Sequence, residues 1–282
     1  MSRGLGDVYK RQILDMEVEM LNNLNIKCTL CGCAEVELQD YKIRNITDDS
    51  CKMYKCKNCE THFMYPLPSQ DLSEYYDGIF REEVHTADYY DYTELDKVFN
   101  NFLSEAKLRT ERVKNDLSVN DTILEIGSSV GYFTAAISDY AKDVYATEWD
   151  SKARAYIKDR LAKYNIHVAK NPEDFETKFD KIFMFHVLEH IEKPIDFLKN
   201  LKQLLNENGK IYIEVPNVDD VMLKTFRCRP FIEHYYKKAH IFNYNEKGLE
   251  YIFDNCNFSN YKIRQIQLSL IHISEPTRHS LI

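Results

Sequence analysis

From residue 121 onward, apolar residues follow two periods in alternation. "TILEIG" (122–127), "DVYATEW" (143–149), "IHVAK" (166–170), "KIFMFHVL" (181–188) and "GKIYIEVPN" (209–217) are short, nearly continuous apolar runs. Between them, "YFTAAISDYA" (132–141), "SKARAYIKDRLAKY" (151–164) and "PIDFLKNLKQLL" (194–205) read as helices. Alternating strands and helices with such apolar strands predict an α/β fold around a parallel sheet covered on both faces. Ligands of these sheets bind beyond the carboxyl ends of the strands, where strand order reverses. Glu125, Glu148 and His186 fall at or near such ends.

Upstream, "VFNNFLSEAKLRTERVKNDL" (98–117) brings Phe99, Phe102, Leu103, Ala106, Val113 and Leu117 near one helical face, predicting a helix packed beside that domain. The two prolines in "MYPLPSQDLSEYYDGIF" (64–80) mark an extended linker before it. No internal repeat or low-complexity tract is evident.

The cysteines change the picture at the N-terminal side, where six of eight lie between residues 28 and 59. Cys28-x2-Cys31 and Cys56-x2-Cys59 form two knuckles, with Gly32 supplying a permissive backbone. Four thiolates satisfy tetrahedral zinc and leave no open position, so the metal's role is structural. Disulfides or free thiols are the alternative; Cys33 and Cys51 are spares that pack. A module of some forty residues is too small for a sufficient core of its own, and a metal offsets that deficit. This cysteine usage points to a reducing, cytoplasmic compartment.

Composition narrows the partners. Hydrophobic content of 44% with 29% charged residues suits a globular protein. A net charge of −8 argues against a general nucleic-acid surface. No apolar run approaches the roughly 20 residues that span a bilayer. The two ends are a separate matter. Residues 2–12 can be encoded by a DNA string whose reverse complement encodes residues 268–278. That inverted relation resembles a translated transposon-end sequencing adapter, so both ends are excluded from fold reasoning. The expected organisation is 1–12 artefact, 13–67 zinc module, 68–117 linker and packing helix, 118–267 cofactor domain lacking its natural end, and 268–282 mostly artefact. Within it, "NYKIRQIQ" (260–267) is expected as the first strand of a closing hairpin, with 268–274 able to imitate its partner.

"ILEIGSSVGYFT" (123–134) carries the candidate cofactor chemistry. A dinucleotide fingerprint starting at Gly127 needs glycines at 129 and 132, where Ser129 and Tyr132 stand, and Tyr132 would obstruct close helix–strand packing. The other spacing, acid-x-G-x-G-x-G, is met by Glu125, Gly127 and Gly131 with Ser129 in the middle. It resembles the first motif of class I S-adenosylmethionine (SAM)-dependent methyltransferases. Glu148 ends the second strand, where a carboxylate accepts hydrogen bonds from ribose hydroxyls. "HVLEH" (186–190), the "NGK" turn before the fifth strand and "AHIFNYNEKGLEYIFDNCNF" (239–258) extend the resemblance. The zinc knuckles followed by "YPLP…LSEYY" resemble a subgroup associated with sugar or small-metabolite methylation.

The resemblance implies a Rossmann-like class I methyltransferase sheet with a small N-terminal zinc-ribbon module. It places SAM on Glu125, Gly127, Ser129, Gly131, Tyr132, Glu148 and His186. His186, His190 and His240 are the candidate proton acceptors, with capping and bracing of the following helix the alternative for Glu189 and His190. His234, Tyr235, Tyr236 and His240 are expected on an acceptor-side loop. The leading expectation is methyl transfer to a small-molecule or sugar-linked acceptor. A non-catalytic scaffold and a nucleotide-sugar oxidoreductase or epimerase are its rivals.

Overall fold

The computed structural model describes residues 26–46, 50–67, 75–79, 94–258 and 260–266. The expected adapter ends, and 68–74 and 80–93 of the expected linker, lie outside the described residues. The chain divides into two compact units, Met1–Pro68 with Asn217–Tyr261, and Ser69–Pro216 with Lys262–Ile282.

In the first unit, β1 (Val36–Gln39), β2 (Lys52–Cys56) and β3 (His62–Tyr65) form an antiparallel sheet. A two-residue strand, Phe242–Asn243, pairs antiparallel with β3 and closes its far side. Ile43, Met53, Met64, Val218 and Tyr236 make its core. Asn245 caps the helix Glu246–Asn255 by accepting from the Gly248 N–H at 3.0 Å. That helix packs so close to Thr61 that a Cβ at Gly248 would overlap the Thr61 hydroxyl. Residues 217–261 therefore share one compact unit with the cysteine module. A two-residue pairing and a close approach at one glycine make that association, and neither leaves a periodic signal.

The second unit is the parallel sheet. β4 (Thr122–Ile126), β5 (Asp143–Thr147), β6 (Ile166–Ala169), β7 (Phe179–Phe185) and β8 (Leu205–Glu214) lie in the order β6-β5-β4-β7-β8, all parallel. Strand order reverses between β4 and β7, as a Rossmann-like methyltransferase sheet requires. β7 stops at Phe185 because His186 takes a left-handed backbone, φ 55°. β8 begins four residues before the expected turn at Gly209, with a register irregularity between Phe179 and Lys181 on β7.

Four helices accompany the sheet: α1 (Leu95–Val113), α2 (Tyr132–Ile137), α3 (Ser151–Arg160) and α4 (Pro194–Gln203). Ala106 of α1 and Phe133 and Ile137 of α2 pack on Ile123, Val144 and Phe183 of the sheet. Val98 and Phe99 of α1 meet Val130, Ala153 and Ile157. Each fully buried side chain of this size contributes about 1.5–3 kcal/mol of transfer free energy. α3 starts where Asp150 accepts from the Lys152 and Ala153 amides. Residues 260–266 hold no strand, so the expected hairpin strand does not form across them.

Candidate active site and cysteine centre

The loop after β4 is held by its backbone. Gly127 and Ser128 N–H both donate to the Thr147 carbonyl at 2.9 Å, joining the ends of β4 and β5. Gly127 (φ 70°), Ser129 (φ 50°) and Gly131 (φ 78°) are all left-handed. A Cβ at Gly127 would sit 2.6 Å from Val187 Cγ2, and one at Gly131 would press on Ile157. Those glycines serve conformation and packing together. Ser129 N–H donates to Glu148 Oε2 at 2.7 Å, and Asp150 N–H donates to Glu148 Oε1 at 3.0 Å. The Glu148 carboxylate thereby ties the loop after β4 to the start of α3.

Glu125 sits elsewhere in the arrangement. It is 2% exposed and accepts a short hydrogen bond from Thr134 Oγ1, tying β4 to α2. Burial raises its pKa to about 8, against the opposing pull of Thr134 and Arg109. Tyr132 stacks on Phe102 of α1, with ring centroids 5.3 Å apart. Glu125 and Tyr132 thus fix the strand and the helix on either side of the loop.

His186 lies at the mouth between β7 and β8, its side chain 41% exposed. Its Nδ1 is 3.5 Å from Glu189 Oε1 and its Nε2 is 3.4 Å from Glu214 Oε1. Burial opposes its charge, but the two carboxylates outweigh this and hold its pKa at about 9. Glu214 is in turn forked by Arg109, with Nη2 at 2.5 Å and Nε at 3.1 Å from Oε1. Burial opposes its ionisation, yet His186 and Arg109 lower its pKa to about 2. Sequence reading passed over Arg109 and Glu214. The signal was present: Arg109 falls between Ala106 and Val113 in the apolar stripe of α1, and it is 5% exposed. Glu214 ends a strand, as Glu125 nearly does.

His190 does not join His186; its Nδ1 lies 3.0 Å from the Tyr76 hydroxyl. Tyr76 in turn packs near Trp149, and the neighbouring Asp77 accepts from the Ser151 N–H at 2.7 Å. Both belong to the turn Tyr75–Ile79. The remaining candidates belong to the first unit. His240 is 6% exposed. Tyr236 is buried, bonds His62 Nδ1 at 3.1 Å and stacks on Tyr41. His234 Nδ1 meets Arg44 at 3.1 Å, and Tyr235 packs on Phe231. The stretch expected as a loop is largely the helix Arg229–Tyr235.

The four cysteines do converge: Sγ atoms of Cys28, Cys31, Cys56 and Cys59 all lie within 4.8 Å of one another. Cys28–Cys59 and Cys31–Cys56 are 3.7 and 3.4 Å apart, too long for disulfides. A tetrahedron of 2.3 Å zinc–sulfur bonds has edges of about 3.8 Å, so the set fits zinc. The Asn58 N–H reaches Cys56 Sγ at 3.4 Å. Burial pushes Cys56 up to about 12, and the hydrogen bond from Cys28 draws Cys59 down to about 5. Cys33 stands outside the set and accepts from the Glu35 N–H at 3.4 Å.

A family model described as "Methyltransferase domain" matches residues 93–263, more than half of the chain. Ribosomal RNA small subunit methyltransferase A of Clostridium botulinum (strain Loch Maree / Type A3) is 24% identical over 62% of this chain and 66% of its own length. A tRNA U34 carboxymethyltransferase of Campylobacter hominis is 28% identical over 34% of this chain and 36% of its own. The chain thus spans less than two thirds of the length of these relatives. A solved coclaurine N-methyltransferase with N-methylheliamine and SAH is 15% identical, with TM-score 0.42, over 54% of this chain and 48% of that one. The chain belongs to the methyltransferase-domain family. Among the described residues, no helix is long and apolar enough to cross a membrane.

Proposed function

We propose that the protein transfers the methyl group of SAM to a small-molecule or sugar-linked acceptor. The observation that carries the cofactor half is the Ser129–Glu148 bond, which sets an acid at the end of β5 beside a left-handed loop at the reversal of strand order. Glu148 would hold the ribose, and the loop Gly127–Gly131 would border the rest, shaped by Glu125 and Tyr132. SAM supplies an electrophilic methyl on a sulfonium; the protein's task is to hold the acceptor in line with it. His190 and His240 are the candidate proton acceptors where the acceptor must lose a proton. The four cysteines hold zinc for structure, and thiols kept for a metal suit the reducing cytoplasm.

The net charge of −8 favours a small acceptor over a nucleic acid. A nucleic-acid acceptor is the second reading, favoured by the RNA methyltransferases among the relatives. Incubation with methyl-labelled SAM and separate pools of sugar nucleotides, small metabolites, rRNA and tRNA tests both. Label in the small-molecule pools supports the first reading, and label only in RNA overturns it.

A further inference from the structure

We propose that Glu214, anchored by Arg109, is a positioning residue that fixes His186 as an imidazolium, so that His186 is a fixed cation at the site and not the base of the reaction. The inference rests on the methyl-transfer reading only for what the site is used for. The charge itself follows from geometry.

Both ring nitrogens of His186 face a carboxylate: Glu189 from the turn Leu188–His190 at Nδ1, and Glu214 from β8 at Nε2. A neutral ring with its proton on Nδ1 faces Glu189 with an N–H and offers Nε2 to Arg109 Nη2 at 3.5 Å, but it leaves Glu214 Oε1, at 3.4 Å, opposite the same lone pair; the doubly protonated ring presents an N–H to both carboxylates. Glu214 holds the residue a second time, because its carbonyl accepts the His186 N–H at 2.9 Å. That bond secures a histidine in a left-handed conformation, φ 55°, which an L-residue adopts only at a cost. Arg109 keeps the Glu214 carboxylate in place with a fork of contacts from inside the fold. It is itself set by Glu105 at 2.8 Å and by the Phe185 ring 4.7 Å away.

The other charges facing His186 do not reverse this balance. Arg109 Nη2 is 3.5 Å from Nε2 and opposes the imidazolium, but Glu105 and Glu214 both neutralise that guanidinium. Arg112 reaches Glu214 only at 4.0 Å, and its own side chain is 41% exposed. In the transfer, the acceptor's lone pair forms the bond to the methyl carbon and the sulfur keeps the pair of the bond that breaks. Any proton the acceptor loses goes to another base or to water, because His186 already holds two. The half-exposed ring adds a fixed positive charge at the ends of β7 and β8.

The test is a pH titration of the His186 ring by nitrogen-15 NMR of the full chain, assigned with His186→Asn. The wild-type ring should remain doubly protonated past pH 8 and titrate near 9. In Glu214→Gln the midpoint should fall by about one unit or more, toward the ordinary histidine value of roughly 6.5. A wild-type midpoint at or below about 7 overturns the proposal without any variant. An unchanged midpoint in a folded Glu214→Gln protein removes Glu214 from the role. SAM affinity, measured on the same samples, reports separately on the methyl-transfer reading. A high midpoint without SAM binding sinks that reading and leaves the charge assignment standing; SAM binding with a midpoint near 6.5 does the reverse.

Discussion

The backbone N–H of Ser129 donates to Oε2 of Glu148 across 2.7 Å, so the loop after β4 and the acid after β5 form one piece of structure. Ser129 takes a left-handed conformation, φ 50°, at the place where the resembling motif has glycine. What the loop needs there is an N–H aimed at the carboxylate, and serine supplies it as well as glycine does.

Ser129→Gly should relieve the left-handed strain, worth about 1 kcal/mol, and leave SAM affinity equal or slightly better. Isothermal calorimetry on the two proteins measures this. A large loss of affinity in the glycine variant would show that the hydroxyl touches the ligand.

Glu148→Ala removes both the proposed ribose acceptor and the brace on Ser129 and Asp150. SAM binding should weaken by about 1.5–3 kcal/mol, the range for hydrogen bonds to a charged group. Equal affinity in variant and wild type would reduce Glu148 to a loop brace.

Metal analysis of protein purified under reducing conditions should find about one zinc per chain, with zinc–sulfur distances near 2.3 Å by X-ray absorption. Cys56→Ser should destabilise the first compact unit while SAM affinity stays nearly unchanged. Metal-free protein of undiminished stability would refute the structural role.

Glu125 gives a pH dependence of defined sign. Its folded pKa of about 8, raised chiefly by burial, lies above the ordinary value of 4.5. The fold thus binds a proton that the unfolded chain releases. The stabilisation is full below about pH 4.5 and is lost as pH rises through about 8. Glu125→Gln mimics the protonated acid, so its melting temperature should gain on wild type progressively from pH 5 to 8. His186 titrates in both proteins and cancels from the difference. A constant difference across that range would show that Glu125 is ionised in the fold.

The parts of this structure that local pattern determines were legible in the sequence. Apolar runs located β4 to β8, and the two-residue spacing within each cysteine pair brought Cys28, Cys31, Cys56 and Cys59 together. What escaped depends on long-range pairing. Arg109 stands in the apolar stripe of α1, but only the fold puts Glu214 opposite it. Tyr236 looked like an acceptor-side group, yet its hydroxyl is taken by His62 inside the first unit. The pairing of Phe242–Asn243 with β3 is too short for any periodicity to announce.

The central claim is a SAM site at the carboxyl ends of β4 and β5. Calorimetric titration of the full chain with SAM and, separately, with NAD tests it most directly. One SAM per chain should bind, displaceable by S-adenosylhomocysteine, with no heat from NAD at the same concentrations. Binding of NAD in place of SAM would contradict it.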